Sequence, residues 1–279
     1  MNPWTSCKEH MRRYVVRNRR SLILRKLAQY CRTYIGFYEN RHYDIAENGE
    51  VAVLDSLCGF DMRTIFDVGA HTGNWAAAAI ERFPHASIHC FEIVDETAAT
   101  LERRFDGNAR LIVNREGLSD ESGATNVRTY EGRSDIATLY SYPEQKEACV
   151  IRGAEVIRGD EYIVSRQIER IDFLKLDVEG AELKVLKGLE RALAAGIVSI
   201  IQFEYGMVNI VAGFFLRDLY ALLCSAGFAI GKIFPTYVDF RPYNLAAEDF
   251  HGPNYLAVRS DRPDLIERVR TLGEGTRSK

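Results

Sequence analysis

The 279-residue sequence lacks the features that mark several classes of protein. Its six cysteines are scattered and form no CxxC pair, which argues against a disulfide scaffold or a zinc module and fits a reducing cytoplasm. No uncharged run reaches the roughly 18 residues of a membrane-spanning helix, and arginines interrupt every apolar run near the N-terminus, so no signal peptide is expected. Internal repeats, low-complexity segments and Pro/Gly/Ser-rich linkers are also missing. With 47% hydrophobic and 27% charged residues, the composition predicts a globular, cytoplasmic protein.

Basic residues are concentrated at the N-terminus. Residues 1–42 hold ten of the 36 Lys and Arg residues but only two of the 39 Asp and Glu residues. Apolar residues recur there at roughly helical spacing, which predicts an amphipathic helix that packs on the main domain or on a partner subunit. Peripheral membrane association or self-association through this segment are further possibilities. We assign residues 1–60 to a basic helical extension and 61–279 to the main domain, whose acidic balance argues against a nucleic-acid partner.

From residue 63 onward, short β-rich runs alternate with helix-like segments. This alternation predicts a doubly wound, Rossmann-like α/β sheet whose ligand crevice lies beyond the carboxyl ends of its parallel strands. Asp95 is expected to cap a helix, and residues 119–160 are less regular, with a hairpin expected at 125–130. The predicted strands are 63–68, 87–92, 110–114, 172–176, 198–204, 228–234 and 254–259, and the predicted helices are 74–82, 95–105, 181–194, 215–226 and a short one after residue 261.

The turn after the first strand carries the argument for a cofactor. Gly69 and Gly73 let the backbone approach a ligand closely, and the helix that follows offers free N–H groups at its N-terminus. The dinucleotide pattern GxGxxG fails here, because its second and third glycine positions hold His71 and Asn74. Asp67 would also repel a pyrophosphate, so the turn favours S-adenosylmethionine, which carries an ammonium and a sulfonium but no phosphate. The predicted cofactor-binding residues of this turn are Asp67, Gly69, Ala70, His71, Gly73 and Asn74.

A carboxylate at the end of the second strand strengthens this interpretation. Glu92 follows Gly73 by 19 residues. A carboxylate at that position can accept both hydrogen bonds of a ribose diol, and such charge-assisted bonds are among the stronger ones. We therefore expect Glu92 to hold the ribose of the cofactor.

Four motifs together resemble the class I S-adenosylmethionine-dependent methyltransferases, and more narrowly the FkbM family. They are FDVGAHTGNW at 66–75, CFE at 90–92, GLSD at 117–120 and IDFLKLDVEGAELKVLKG at 171–188. The resemblance spans about residues 63–259 and implies a seven-stranded, mostly parallel sheet with an antiparallel last strand. It also implies methyl transfer, usually to a hydroxyl of a sugar or natural product. By the same resemblance, Ser119 or Asp120 would lie near the adenine and Asp177 would face the methionine end of the cofactor.

Ionisable residues cluster where the fourth main strand meets its helix, in the run KLDVEGAE at 175–182. Burying so many charges is costly unless they pair or act on a ligand. Strand alternation places the side chains of residues 175, 177 and 179 on one face. Because a sugar hydroxyl is a poor nucleophile at neutral pH, a general base would speed methyl transfer. The predicted catalytic residues are Asp177, Glu179, Glu204 and Lys175, with His71 as a distant further candidate for the base.

The sequence offers weaker evidence on a metal site, on alternative functions and on acceptor contacts. Clustered carboxylates suit Mg²⁺ or Ca²⁺, but the sequence shows no dedicated motif and we predict no resident metal; His85 and His89 lack the HExxH pattern of a zinc site. Two alternative functions stay open: an NAD-dependent oxidoreductase, and a non-catalytic, cofactor-binding assembly module that acts through the basic extension. Candidate contacts to a small-molecule or glycan acceptor lie on late loops, at Tyr237, Asp239, His251 and Asn254.

Overall fold

The computed structural model describes residues 3–141, 147–252 and 254–272. The chain divides into two compact units, Met1–Arg41 and His42–Lys279. Residues 42–60, which the sequence assigned to the extension, therefore lie in the second unit. Their helix, Glu50–Ser56, contributes Val53 and Leu54 to the core of that unit.

The first unit consists of two helices, α1 (Pro3–Arg17) and α2 (Leu22–Tyr38), where the sequence predicted one. The break falls at Asn18, whose side-chain amide donates a hydrogen bond to the Tyr14 carbonyl over 2.8 Å. Asparagine side chains compete in this way with the backbone donors that would continue a helix. In the part of the chain that the structure describes, no helix combines the length and the apolar character needed to cross a membrane.

The second unit contains twelve strands and nine α-helices within its described residues. The strands are β1 (Thr64–Val68), β2 (Ser87–Phe91), β3 (Leu111–Asn114), β4 (Gly117–Ser119), β5 (Gly123–Tyr130), β6 (Arg133–Thr138), β7 (Cys149–Arg158), β8 (Ile171–Leu176), β9 (Val198–Glu204), β10 (Phe228–Phe234), β11 (Tyr237–Phe240) and β12 (Asn254–Arg259). The helices are α3 (Glu50–Ser56), α4 (Asn74–Arg82), α5 (Asp95–Arg104), α6 (Gly159–Ser165), α7 (Glu182–Gly188), α8 (Glu190–Ala194), α9 (Val208–Ala212), α10 (Leu216–Ser225) and α11 (Pro263–Arg270).

Eight strands form the main sheet, in the order β11-β10-β12-β9-β8-β1-β2-β3. The chain leaves β1 toward β2 and β3 and returns to β8 on the other side of β1, so the order reverses between β1 and β8. The doubly wound fold and the antiparallel last strand β12 are confirmed. The strand count of seven was wrong, because β11 adds an antiparallel edge strand to β10. A reversal of strand order opens a crevice at the carboxyl ends of β1 and β8.

A second, four-stranded sheet, in the order β4-β7-β5-β6, occupies the region that the sequence described as irregular. The hairpin expected around 125–130 is found in part: these residues form most of β5, which pairs antiparallel with β6 across a short turn and also with β7. Most residues of β5 and β7 are exposed or half-buried. Apolar residues therefore do not alternate strongly along these strands, and the sequence pattern that predicts a strand is weak.

Helix boundaries differ from prediction at two places. Asp95 is the first residue of α5 and not its cap, which is Val94; its charge still favours the positive end of the helix. The single helix predicted at 181–194 is split at Leu189 into α7 and α8. Gly188 lies so close to β4 that a Cβ atom there would sit 1.8 Å from the Ser119 carbonyl oxygen, so β4 packs directly against the end of α7.

Apolar residues cover both faces of the main sheet. Alternate residues of the central strands point to opposite sides, with Phe66 and Leu174 in one buried cluster and Ile65 and Phe173 in the other. Strands buried on both faces hold their carboxyl ends in fixed positions, and these ends carry the candidate site.

Candidate active site

The turn that follows β1 is shaped by two glycines with positive φ angles. Gly69 has a φ of 79°, and a Cβ atom there would lie 1.8 Å from the Asp177 carbonyl oxygen. Only glycine lets the turns after β1 and β8 approach this closely. At Gly73, with a φ of 82°, a Cβ atom would lie 2.5 Å from Leu101 of α5. Gly73 therefore serves the packing of α4 on α5, whereas Gly69 brings two functional turns together.

A cavity of about 290 Å³ opens at the carboxyl ends of β1, β2 and β8. Its floor is formed by the turns after these strands, and the second sheet contributes apolar side chains to the rest of its wall. The predicted site residues that line it are Gly69, Ala70, His71, Asn74, Glu92, Lys175, Asp177 and Glu179. The apolar lining includes Phe91, Ile93, Leu118, Val127, Leu139 and Val156.

Four residues predicted to bind the cofactor lie outside this lining. Asp67 is completely buried below the cavity, and Gly73 packs against α5. The Ser119 hydroxyl donates to Asp120, and Asp120 pairs with Lys184 of α7 over 3.0 Å. The structure therefore places the neighbouring residues of GLSD, Gly117 and Leu118, at the cavity instead.

Backbone groups hold the Glu92 carboxylate in the cavity wall. One oxygen accepts the His71 N–H over 2.8 Å and the other accepts the Val94 N–H over 2.9 Å. Burial raises the pKa of Glu92, and these two backbone hydrogen bonds act in the opposite direction. A carboxylate oxygen can accept more than one hydrogen bond, so both oxygens can still accept from a ligand diol.

Lys175 lies among carboxylates at the bottom of the cavity. Its ammonium nitrogen is 3.0 Å from an Asp177 oxygen and 3.5 Å from an Asp67 oxygen. Burial alone would lower the pKa of Lys175, but the negative charges of Asp177, Asp67 and Glu50 raise it above its ordinary value. Lys175 therefore stays charged at any physiological pH and acts as a fixed cation, not as a base.

Three predicted catalytic carboxyl groups lie close together: Asp177 and Glu179 line the cavity, and Glu204 lies beside them outside its lining. Asp177, Glu179 and Glu204 each place an oxygen within 4.8 Å of the others. Asp177 is 43% exposed, and because it lines the cavity this exposure is to the cavity. Burial opposes ionisation of Asp177, but Lys175 outweighs it and lowers the Asp177 pKa. Burial and the charges of Asp177 and Glu179 raise the pKa of Glu204 well above its ordinary value.

These opposite shifts describe a pair that shares one proton. When Glu204 is protonated, it donates a hydrogen bond to the ionised Asp177. This contact favours the ionised form of Asp177 and the neutral form of Glu204. Three carboxylates at this spacing also resemble the oxygen ligands of a divalent cation. Lys175 already neutralises Asp177, however, and the raised pKa of Glu204 favours its neutral form, so little charge is left for a cation. The absence of a resident metal stays a prediction.

The turn that presents Asp177 and Glu179 is held from both sides. Because β8 ends at Leu176, strand alternation does not extend to these residues, and Glu179 adopts a left-handed backbone with a φ of 48°. Thr138 of β6 donates a hydrogen bond to the Glu179 carbonyl over 2.7 Å. The Glu182 carboxyl accepts the backbone N–H groups of residues 178 and 180, and burial raises its pKa to about 7.

Sequence analysis missed Glu50, a buried carboxyl in α3. Its oxygens accept hydrogen bonds from Asn48 (2.7 Å), Asn254 (2.8 Å) and Gln202 (2.6 Å). Glu50 belongs to no motif and lies 125 residues from Lys175 in the chain, so no local signal could have identified it. Asn254, predicted to contact the acceptor, instead donates its side-chain hydrogen bond to Glu50.

The other late-loop candidates do not line the cavity. Asp239 pairs with Arg241 over 3.4 Å, and the His251 backbone N–H donates to Asp249. His89, half of the rejected zinc pair, is buried against the Tyr162 hydroxyl at 2.7 Å, and burial lowers its pKa to about 4. His89 is thus a neutral core residue.

Comparison with known sequences identifies the family. The family model described as "Methyltransferase FkbM domain" matches residues 67–230, more than half of the chain. The chain belongs to the FkbM methyltransferase family. The sequence-based recognition of this family, and of S-adenosylmethionine as its cofactor, is thereby confirmed.

Individual relatives of this FkbM methyltransferase match over part of their length. It is 29% identical over 163 residues to the hexuronic acid methyltransferase AglP of Haloferax volcanii, which covers 58% of this chain and 62% of AglP. It is 31% identical over 157 residues to the methyltransferase sdnD of Sordaria araneosa, covering 45% of this chain and 60% of sdnD. The chain thus spans less than two thirds of either relative. The solved fibrillarin of Aeropyrum pernix, bound to S-adenosylmethionine, covers 76% of this chain and 75% of its own at 12% identity and a TM-score of 0.40.

The cavity suits the cofactor of the FkbM family. Glu92 offers two fixed acceptors for a ribose diol, and the apolar side chains of Ile93 and Leu118 offer a surface for a flat base. Among the lining residues Lys175 is the one side chain with a permanent positive charge, and it is already paired with Asp177. A diphosphate would find no free cation in this lining, whereas a ligand bearing ammonium and sulfonium groups meets carboxylates.

Proposed function

We propose that this FkbM methyltransferase transfers the methyl group of S-adenosylmethionine to a hydroxyl oxygen of a saccharide or a small hydroxylated natural product. The observation that carries the proposal is the convergence of Asp177, Glu179 and Glu204, the first two of which line the cavity that also contains Glu92. A site with several carboxyl groups suits a hydroxyl acceptor, whose proton must be removed. The name of one relative, a hexuronic acid methyltransferase, supports a saccharide acceptor.

Positioning supplies most of the proposed rate enhancement. Bound S-adenosylmethionine supplies an electrophilic methyl group on a sulfonium. Glu92 and the turn after Gly69 fix the donor, and the apolar side chains of Val127, Leu139 and Val156 exclude water from the cavity. Aligning two reactants in this way can lower a barrier by about 7–11 kcal/mol.

Glu204 acts as the general base in this proposal. As the acceptor oxygen takes the methyl group that the cofactor would supply, with the former carbon–sulfur electron pair left on sulfur, the hydroxyl proton would pass to the ionised form of Glu204. A base is most effective when its pKa lies near the working pH, and the Glu204 pKa is the one raised in the Asp177–Glu204 pair. Lys175 keeps Asp177 ionised, so that Asp177 orients Glu204.

The test is to incubate the purified chain with methyl-labelled S-adenosylmethionine and matched panels of acceptors. The panels are neutral saccharides, uronic acids, polyhydroxylated natural products and amine-bearing counterparts of each. We expect label in a methyl ether, located by NMR of the product. Label on nitrogen, on carbon or in the methyl ester of a uronic acid would contradict the hydroxyl acceptor while leaving methyl transfer itself intact.

A further inference from the structure

The first unit carries an exposed apolar surface on its second helix. Helix α2 has no buried residue. On a helical projection of 100° per residue, six of its large apolar side chains fall within an arc of about 100°. They are all exposed, from 55% at Leu27 to 77% at Ile23: Ile23, Leu27, Tyr30, Tyr34, Phe37 and Tyr38.

Charge on this unit is strongly one-sided. Helix α2 contains Arg25, Lys26 and Arg32 and no acidic residue, and all three basic residues lie outside the apolar arc. The whole segment 1–42 holds ten basic residues against Glu9 and Glu39. A helix with one apolar face, a basic polar face and aromatic residues in the apolar face is typical of segments that lie in the interface of a bilayer.

We propose that α2 docks on an anionic phospholipid surface and lies parallel to it. At 17 residues the helix is about 25 Å long, too short to cross a hydrocarbon core of about 30 Å. Tyr30, Tyr34 and Tyr38 are spaced by four residues, so they form one line along the helix, and tyrosine favours the level of the lipid headgroups. Phosphate-bearing headgroups complement Lys26, which lies next to the apolar arc, and the long side chains of Arg25 and Arg32 on the polar face.

Charge argues against a second copy of the chain as the occupant. Pairing two α2 faces would bring two strongly basic segments together, and like charges at that distance repel. An anionic bilayer instead attracts each basic residue near its surface by about 1 kcal/mol. An anionic membrane surface can bury the apolar face and attract the basic residues at the same time.

Flotation of the full chain with vesicles tests the proposal. We expect binding to phosphatidylcholine vesicles that contain about one quarter phosphatidylglycerol, and binding at least about 100-fold weaker to phosphatidylcholine alone. Raising the salt concentration should weaken the binding, because salt screens the basic residues. Equal binding to both vesicles, or to neither, would overturn the proposal.

Two double variants with the same charge separate the apolar face from simple electrostatics. Ile23→Glu with Leu27→Glu places two carboxylates in the apolar arc, and Gln29→Glu with Thr33→Glu places two outside that arc on the same helix. Both add the same charge, so the first should weaken binding at least about 100-fold more than the second, since it alone removes buried apolar area. Circular dichroism should show both variants as helical as the parent.

The same pair of variants decides between the membrane and a second copy. Sedimentation velocity should give the same mass for the parent and both variants if a bilayer is the occupant. Equal loss of vesicle binding in the two variants would contradict an apolar docking face. A parent dimer that Ile23→Glu with Leu27→Glu dissociates, with no vesicle binding by either form, would identify a second copy as the occupant instead.

Discussion

The two ends of the cavity hold their carboxyl groups by different means. Glu92, at the β2 end, is fixed by two backbone N–H groups, whereas Asp177 and Glu204, at the β8 and β9 end, are held by each other and by Lys175. A group fixed by the backbone keeps its charge and geometry. A group fixed by ionisable partners exchanges protons with them. The first arrangement suits binding and the second suits proton transfer.

The largest effect is expected from Glu204→Gln. The amide can still donate a hydrogen bond to Asp177 but cannot accept a proton, so kcat should fall by about 10²–10⁴-fold, while the Kd for cofactor changes little. The control is Glu190→Gln, an exposed carboxyl on α8. Because the pKa of Glu204 is raised, its basic form gains population as the pH increases, so parent kcat should rise with pH and the variant's should not. A variant that turns over like the parent would remove Glu204 from the chemistry.

Next in size is the effect of Gly69→Ala on stability. An alanine at a positive φ costs about 1–2 kcal/mol. At Gly69 its Cβ would also overlap the Asp177 carbonyl, which should add about 1–3 kcal/mol. Gly107→Ala is a matched control, because Gly107 has a φ of 78° and open space around it. Urea unfolding measures the free energy of unfolding of both variants. An equal loss in the two would show that the β1 and β8 turns are not as tightly joined as the structure indicates.

Glu182→Gln should change the pH dependence of stability. A carboxyl with a raised pKa favours the folded state only while it is protonated, so the free energy of unfolding falls as the pH rises from the ordinary pKa of 4.5 through the folded value of about 7. Glutamine does not ionise, and the variant should gain about 3 kcal/mol on the parent between about pH 5 and pH 8. Urea unfolding of the parent and the variant at these two pH values measures this gain. A pH-independent difference would place the Glu182 pKa near its ordinary value.

The smallest of these effects concerns the Glu92 end. Glu92→Gln loses charge-assisted hydrogen bonds to the ligand, so the Kd for S-adenosylmethionine should rise about 10- to 100-fold, with a smaller change in kcat. Calorimetry measures this Kd, with Glu81→Gln as the control, because Glu81 is an exposed carboxyl of α4. A fall in kcat at unchanged Kd would erase the distinction between the two ends of the cavity.

Prediction from sequence succeeded where the signal is local. The β1 turn and the strands β8, β9, β10 and β12 are read from short apolar runs and glycines, and the strands lie within one residue of their predicted bounds. The second sheet was missed because its strands are largely exposed. The edge strand β11 was missed as well, since four residues give too short a pattern.

The candidate site shows the same division. Glu92 and Asp177 belong to motifs at strand ends, and such ends meet at one edge of a parallel sheet, so their position at the cavity follows from the fold. Ser119 and Asp120 were placed by analogy of motif alone, and in the structure Asp120 pairs with Lys184 while the Ser119 hydroxyl donates to Asp120. Glu50 reaches Gln202 and Asn254 only after the chain has folded.

By itself, the sequence determined the family, the cofactor and the succession of the main parallel strands along the chain, because glycines, strand-end carboxylates and apolar periodicity act over a few residues. Only the tertiary structure decided which carboxyl group carries a proton. The pKa values of Glu204, Asp177 and Glu182 depend on burial and on charges that are distant in the chain and adjacent in space. Proton affinity is set by these surroundings, which exist only in the folded protein.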